Sequence, residues 1–260
     1  MSALPRRATR SSSLIALALL ALGTAGCSAN GRPGEQHSWA KAGVPAFEAL
    51  YSASSVTIDM KARRDGLDVH GTLQIGRGKE CRAEVTSGRG GEVRVIRTAD
   101  GTAYIQVDEA QIRSGGGNRP RQRVEADVRL FAGRWLKADP SAPMTRQIVQ
   151  YCDIRKLIPA DHTEIEEVDL TGTVTGDGRR IRFAAKEDGV MMRVFVNRGE
   201  NPTVHKIEQI GGERPMSAVF SDFGEPIQVG HPPADEVLTP DEIRTLYRDS
   251  VADLARSESG

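Results

Sequence analysis

The chain has 260 residues, with 35 lysines and arginines against 35 aspartates and glutamates, so its formal net charge is zero. This balance argues against nucleic acid as a partner, because nucleic-acid-binding domains carry a clustered basic excess. Aromatic residues make up only 5% of the chain, which leaves little bulk to fill a wide interior.

The first 26 residues are predicted to form an export signal. Three arginines precede an apolar run from Leu14 to Leu22, and four small residues stand directly before Cys27. A basic start, a short apolar run and a small-residue cleavage site are the three parts of such a signal. The run is too short to cross a bilayer, which needs about 20 apolar residues.

A small residue followed by cysteine resembles the lipobox of bacterial lipoproteins, in which the cysteine is lipidated and becomes the new N-terminus. The resemblance implies that Cys27 carries an acyl anchor, which would hold the protein in membrane lipid at the extracytoplasmic face of the cell membrane. Thr24 stands where leucine is commoner in that motif. The alternative is an ordinary secretory signal with an incidental cysteine, and the Arg6–Arg7 pair leaves the export route open.

Cleavage before Cys27 would change both the length and the charge. It removes three arginines and no acidic residue, so 35 − 3 = 32 basic residues face 35 acidic ones, a net charge of −3. Residues 27–37 are small, polar and interrupted by glycine and proline, which is typical of a flexible tether. Residues 38–256 are predicted to form a single domain, and we expect a monomer.

Two cysteines remain besides Cys27. Cys81 and Cys152 are an even number in an exported chain, where disulfides persist, so a bridge between them is predicted. Two buried free thiols are the alternative. Neither cysteine belongs to a C-x-x-C pair, which argues against a redox or zinc site.

The first predicted element is a helix from Ser38 to Ser54. Trp39, Phe47, Leu50 and Tyr51 share an apolar stripe at helical spacing. A glycine and a proline inside this segment, at positions 43 and 45, favour a kink or a later start.

From Ser55 onward, apolar and polar residues alternate with the period of a β-strand. Asp-Gly pairs at 65–66, 100–101, 177–178 and 188–189 suit two-residue hairpin turns. Segment 114–123 holds three glycines, a proline and three arginines and is predicted to be a long, mobile, basic loop. Such a loop would either contact anionic headgroups or be a solvated insertion.

Two further helices are predicted. One spans about Ala142 to Leu157 and carries Cys152. The other runs from Thr239, as N-cap, to about Ala255, with Pro240 as its first residue. About ten strands with these helices predict an α+β fold: a large curved antiparallel β-sheet, an unclosed barrel, with helices packed on its concave side. A cavity or a helix folded onto the sheet would equally account for the missing bulk.

Two stretches carry a family resemblance. "GTAYIQV" followed by "GRWLKADP", and "VFSDFGEPIQVGHPPADEV" at 219–237, are similar to motifs of the LppX/LprG-type actinobacterial lipoproteins. The resemblance covers roughly residues 45 to 237. It implies a LolA-like unclosed barrel whose interior holds acyl chains of lipids or glycolipids. Gln106 stands where the family often has lysine, and the basic glycine-rich segment and both cysteines, Cys81 and Cys152, are additions to its pattern.

Sequence motifs of enzymes are missing. The five histidines show no metal-ligand spacing, and neither H-E-x-x-H nor G-x-S-x-G occurs. We therefore expect no catalytic residues, no metal and no cofactor.

The favoured hypothesis is a lipid-anchored protein that binds a lipid, a glycolipid or another apolar ligand inside the half-barrel and carries or presents it in the cell envelope. Its alternatives are a structural or adaptor lipoprotein with a filled core and, far behind, an envelope enzyme. The candidate lining residues are inward members of the alternating strands, and any of them could be plain core instead. They are Ile58, Leu73, Ile105, Phe183, Met192 and Val194.

Overall fold

The computed structural model describes residues 36–64, 66–139, 142, 145–146, 149–158, 171–187 and 189–258. The predicted signal, Cys27 and most of the predicted tether lie outside these residues. Gln36 and His37, which the sequence assigned to the tether, already pair with Thr173 and Gly172. The tether prediction is therefore wrong at its C-terminal end, because backbone pairing draws these two residues into the sheet.

The described residues form one sheet of thirteen strands in the order β1-β8-β9-β10-β11-β12-β2-β3-β4-β5-β6-β7-β13. Every pair is antiparallel except β13 with β7. The sheet is not closed, since β1 and β13 are its two edges. The predicted α+β class with a large unclosed antiparallel sheet is confirmed. The strands are β1 Gln36–Ser38, β2 Ser55–Arg64, β3 Leu67–Gly76, β4 Cys81–Ser87, β5 Glu92–Arg97, β6 Ala103–Val107, β7 Trp135–Lys137, β8 Thr171–Val174, β9 Arg180–Glu187, β10 Val190–Asn197, β11 Thr203–Ile210, β12 Met216–Ser221 and β13 Val237–Leu238.

The hairpins give the sheet two distinct ends. We call the end with the connections at 65–66, 88–91, 188–189 and 211–215 the turn end, and the opposite end the cap end. At three of the predicted Asp-Gly turns, Gly66, Gly101 and Gly178 have φ values of 76°, 86° and 70°. Glycine adopts this left-handed conformation without the steric cost that other residues incur. The fourth glycine of this set, Gly189, has a φ of 79°.

Helix α1, Trp39–Ser52, packs on the inner face of the sheet, mainly against β11. It begins at Trp39 and runs unbroken through Pro45, so the predicted later start is wrong. The ring of Trp39 stacks edge-on against Phe183, with ring centroids 5.0 Å apart, and this contact fixes the start of the helix. A Cβ atom at Gly43 would collide with the Trp39 ring. The missing side chain of Gly43 therefore leaves room for the Trp39 ring.

The cap end is closed by a short segment that a disulfide joins to β4. Cys152 is bonded to Cys81 with their Cα atoms 5.5 Å apart. Around it, residues Gln150–Cys152 form a 3₁₀ turn and Ile154–Leu157 form helix α4. The continuous helix predicted over 142–157 is thus interrupted at Asp153, because the carboxylate of that residue accepts a hydrogen bond from the Arg155 N–H and caps α4.

The predicted basic loop contains parts of two helices, so that prediction is wrong. Helix α2 spans Glu109–Ser114 and helix α3 spans Arg121–Phe131. Arg113 on α2 makes a bidentate contact with Glu125 on α3, at 2.7 and 2.9 Å. Because opposite charges join these two helices, the segment is helical at both ends and packs as one unit between β6 and β7.

The chain then crosses from β12 to the far edge, where β13 pairs with β7. This crossing brings the two family-like stretches of the sequence together. Helix α5, Pro240–Glu258, begins one residue after Thr239, as the sequence predicted. The Glu242 N–H donates to Thr239 Oγ1 and the Thr239 N–H donates to Glu242 Oε2, at 3.3 and 2.8 Å, which is a capping box.

Candidate ligand-binding surface

One row of small and apolar residues crosses the inner face of nearly the whole sheet. It begins with the pair Phe183–Val194, continues through Ile207 and Ala218, and reaches Met60. Beyond Met60 the same register runs through Gly71, Val85, Val93 and Val107. The side-chain period of two places every member on the same face. This row is therefore an apolar stripe across the inner face. The neighbouring row contains a polar residue, Gln209, between Met192 and Met216.

Burial divides this face into two parts. Near the cap end, Ile58, Leu73 and Phe183 are 0%, 3% and 1% exposed and belong to the main core beneath α1. Toward the turn end and the β6 side, the inner-face residues are only half-buried. We call these half-buried residues the open inner surface: Met60, Val69, Val85, Val93, Ile105, Met192, Val194 and Met216.

The six predicted lining residues are thus split evenly between the two parts. All six point to the inner face. Ile58, Leu73 and Phe183 belong to the buried core, and Met192 and Val194 are partly buried and pack against it. Ile105, Met192 and Val194 lie on the open inner surface. Sequence alternation identified the face, whereas the position of α1 across it could not be derived from any local pattern.

Sequence reasoning missed two methionines of this surface as candidates. Met60 pairs with Ala218, and Met216 lies on the adjacent strand one position along. With Met192, they place three flexible, polarizable thioether side chains at the turn end. The alternation on β2 and β12 was the signal that could have found them, because Met60 and Met216 occupy inward positions of strands that the sequence did predict.

The open inner surface also has a shallow centre and an uncharged lining. Gly71 stands between Met60 and Val85 in the register and has no side chain. The described inward positions of β3, β10 and β12 carry no ionisable side chain. Such a surface offers contact to apolar groups.

A separate open groove of about 320 Å³ lies at the turn end across β2, β3, β11 and β12. Its lining is largely of the outer face, including Lys61, His70 and Glu208, and it reaches Met216 at one side. None of the six predicted lining residues contacts this groove. It is therefore distinct from the surface that the sequence predicted.

A row of three polar side chains at the cap end superficially resembles a catalytic arrangement. The hydroxyl of Tyr104 lies 2.8 Å from Nδ1 of His231, whose Nε2 lies 3.7 Å from Asp100. Hydrogen bonds from Thr98 and Thr102 lower the pKa of Asp100 to about 2. Burial, and then Asp100, raise the pKa of Tyr104. Tyr104 is only 6% exposed, and its contact with His231 fastens the crossing segment to β6.

The described residues contain no group of three or more histidine, cysteine or acidic side chains placed to hold a metal ion. Within the same part of the chain, no helix combines the length and the apolar character needed to cross a membrane.

No family model matches the chain, and no curated protein matches it. Among solved structures, LprF from Mycobacterium bovis is similar at 10% identity and a TM-score of 0.44, over 74% of this chain and 96% of LprF. A DUF1329 family protein from Desulfovibrio piger ATCC 29098 is similar at 10% identity and a TM-score of 0.26, over 71% and 92% of the two chains. At these identities and TM-scores, neither similarity carries a conclusion on function.

The structure contains an unclosed antiparallel sheet with a helix on its inner face, which is the architecture that the sequence resemblance implied. The stretches that carried the resemblance form adjoining elements: Tyr104 on β6, Trp135 on β7 and Val237 on β13. His231, from the second stretch, contacts Tyr104 from the first. The similarity in sequence thus corresponds to one contiguous region of the fold.

Proposed function

We propose that this protein is a membrane-anchored extracytoplasmic lipoprotein that binds an acyl chain on its open inner surface and carries or presents it in the cell envelope. The observation that carries the proposal is the half-buried apolar surface formed around Met60, Met192 and Met216. Residues 1–26 act as the export signal, Cys27 carries the acyl anchor, and residues 38–256 form the binding domain.

Binding is driven by the removal of apolar surface from water. Each methylene that a ligand buries contributes about 0.8 kcal/mol before the costs of association are subtracted. Met192 and Met216 can adapt to chains of different length, because thioether side chains repack at little cost. The protein needs no catalytic residue for this task.

The second candidate is a structural or adaptor lipoprotein whose interior is filled. The observation that favours it is the complete burial of Ile58 and Phe183 beneath α1. In that case the open inner surface would carry no ligand, and the protein would act through its outer face.

Two adjacent methionines provide a matched test of the two candidates. Met192 lies on the inner face of β10, whereas Met191 lies on the outer face of the same strand, opposite Ile210. We would measure the uptake of a phospholipid with a fluorescent acyl chain from vesicles by the wild-type protein and by Met192→Arg and Met191→Arg. Circular dichroism and the thermal midpoint would establish that both variants are folded.

The acyl-chain proposal predicts saturable uptake by the wild-type protein and by Met191→Arg, and a loss of at least about tenfold in Met192→Arg, since a buried unpaired charge is strongly disfavoured. Absence of uptake by the wild-type protein, or equal uptake by the two folded variants, would favour the filled-core adaptor instead. Because Met191→Arg also adds one arginine to β10, it controls for any general effect of that added charge on uptake.

A further inference from the structure

The described part of the chain begins beside a basic region of the outer face. Gln36 on β1 pairs with Thr173 on β8, and Thr173 pairs with Arg182 on β9. Neighbouring strands lie about 4.8 Å apart, so Arg182 is about 10 Å from the point where the preceding segment joins the sheet. The outer face at this edge therefore adjoins Gln36, where the described chain begins.

Five cations gather where β8, β9, β10 and β11 approach the cap end, and we call them the basic corner: Arg179, Arg180, Arg182, Arg198 and Lys206. The Arg198 N–H donates to the carbonyl oxygen of Arg179, which brings the strand ends together.

The carboxylates near the basic corner only partly neutralise it. Asp177 pairs with Arg180 at 3.3 Å, and Glu208 pairs with Lys206 at 2.6 Å. Glu200 is the third carboxylate, on the turn after β10. The exposed side chains of Arg179 and Arg182 form no ion pair with any residue that the structure describes. The corner thus presents a positive surface on a chain whose total formal charge is zero.

The pKa of one histidine near the basic corner is affected by this positive charge. Burial lowers the pKa of His205, and Arg180 and Lys206 lower it further, while Asp177 opposes them. The positive charge of Arg180 and Lys206 therefore acts on the partly buried His205 as well as at the surface of the corner.

From these placements we propose that the basic corner rests on the anionic lipid headgroups of the membrane that holds the anchor. This inference relies on the proposed anchor at Cys27. Eight residues lie between Cys27 and Gln36, and an extended chain across them reaches at most about 30 Å. The corner is thus within reach of the headgroups, and each arginine at an anionic surface strengthens the contact by about a factor of five.

The test measures the orientation of the protein on vesicles. The protein, as its host matures it, is placed on phosphatidylcholine vesicles with or without phosphatidylglycerol, and a headgroup acceptor dye reports energy transfer from a donor dye. The donor is attached at Thr173→Cys beside the corner or at Thr86→Cys, an exposed outer-face position on β4. Both native cysteines of the domain are engaged in the disulfide, so the introduced thiol is labelled selectively.

The inference predicts that transfer from position 173 rises on anionic vesicles, and that transfer from position 86 does not. Reversal of two charges, Arg179→Glu with Arg182→Glu, should return the signal to its value on neutral vesicles, a loss of at least about tenfold in vesicle contact. High salt should act in the same way. The matched reversal, Arg89→Glu with Arg121→Glu, changes the net charge equally at the turn end and should leave transfer unchanged.

Equal transfer on neutral and anionic vesicles, or an equal loss in both reversed pairs, would overturn the inference. The anchor is judged separately, by flotation with neutral vesicles: protein that fails to float there counts against the proposed function. Flotation with anionic vesicles that depends on Arg179 and Arg182 would still support the basic corner in that case.

Discussion

The hydroxyl of Tyr51 donates a hydrogen bond to the carbonyl oxygen of Ile158, over 3.0 Å. This bond joins the last turn of α1 to the segment that carries Cys152. The guanidinium of Arg155 lies 4.9 Å from the centre of the Tyr51 ring, and Lys79 pairs with Asp153 at 3.0 Å. The cap end is thus closed by contacts of several kinds around one disulfide.

Removal of the Tyr51 hydroxyl should weaken this closure. We expect Tyr51→Phe to lower the free energy of unfolding by about 1 kcal/mol, because a buried carbonyl loses its partner. Urea unfolding measures the change. Tyr151→Phe, at an exposed tyrosine of the same segment, should leave the midpoint unchanged, and an equal loss in both variants would contradict the assigned role.

The disulfide should contribute more than any single contact of the cap. Its cysteines are 71 residues apart in sequence, and closure of a loop of that length stabilises a fold by about 4 kcal/mol in the chain-entropy model. Cys81→Ala with Cys152→Ala should lose about that amount in urea unfolding. A reductant should lower the midpoint of the wild-type protein to the same value and leave the variant unaffected.

The α2–α3 unit depends on a buried carboxylate. Asp127 is 7% exposed and accepts contacts from Arg119 at 2.6 Å and Arg123 at 3.4 Å. Asp127→Ala leaves the half-buried Arg123 without its carboxylate partner. We therefore expect a loss of about 3 kcal/mol in the free energy of unfolding. Glu109→Gln removes an exposed partner of Arg113 and should barely shift the urea midpoint. Equal losses of stability in the two variants would contradict the structural role of the buried Asp127 carboxylate.

His205 should make stability depend on pH. Its pKa is lowered in the folded protein, by burial first and then by Arg180 and Lys206. Below the ordinary histidine pKa of about 6.5, the unfolded chain therefore binds a proton that the folded chain does not. The free energy of unfolding should consequently fall as the pH drops below about 6.5, until the folded histidine is protonated as well.

Urea midpoints on either side of about pH 6.5 test this expectation. His205→Gln should flatten the dependence, whereas His70→Gln, at an exposed histidine, should leave its slope unchanged. An unchanged slope in His205→Gln would show that other groups cause the effect.

The sequence predicted the sheet well because alternation and turn chemistry are local. On β2 and β3 the alternating residues pair in the register that the turn at Gly66 requires. The capping box is likewise local, because Thr239 and Glu242 are only three residues apart in sequence. A kink or a later start was predicted within the helix at 38–54 because Gly43 and Pro45 are helix breakers, but α1 begins at Trp39. Only the distant Phe183 explains why Trp39 lies against that glycine.

The candidate site was predicted by face and only half by residue. Alternation placed Met192 and Phe183 on one face, but a helix that crosses the sheet diagonally decides which of them is covered. Helices α2 and α3 were missed because glycines and arginines dominated the pattern, although Asp108 accepts from the Gln111 N–H and is a recognisable N-cap. Tertiary contacts decided each of these outcomes.

Native mass spectrometry of the unmodified protein, purified without detergent from a bacterium that exports it, tests the central claim most directly. The account predicts a species heavier than the anchored protein by the mass of one acyl lipid, which organic extraction releases. A single mass that corresponds to the anchored protein alone, with no gain after incubation with phospholipid vesicles, would contradict the claim that the open inner surface binds an acyl chain.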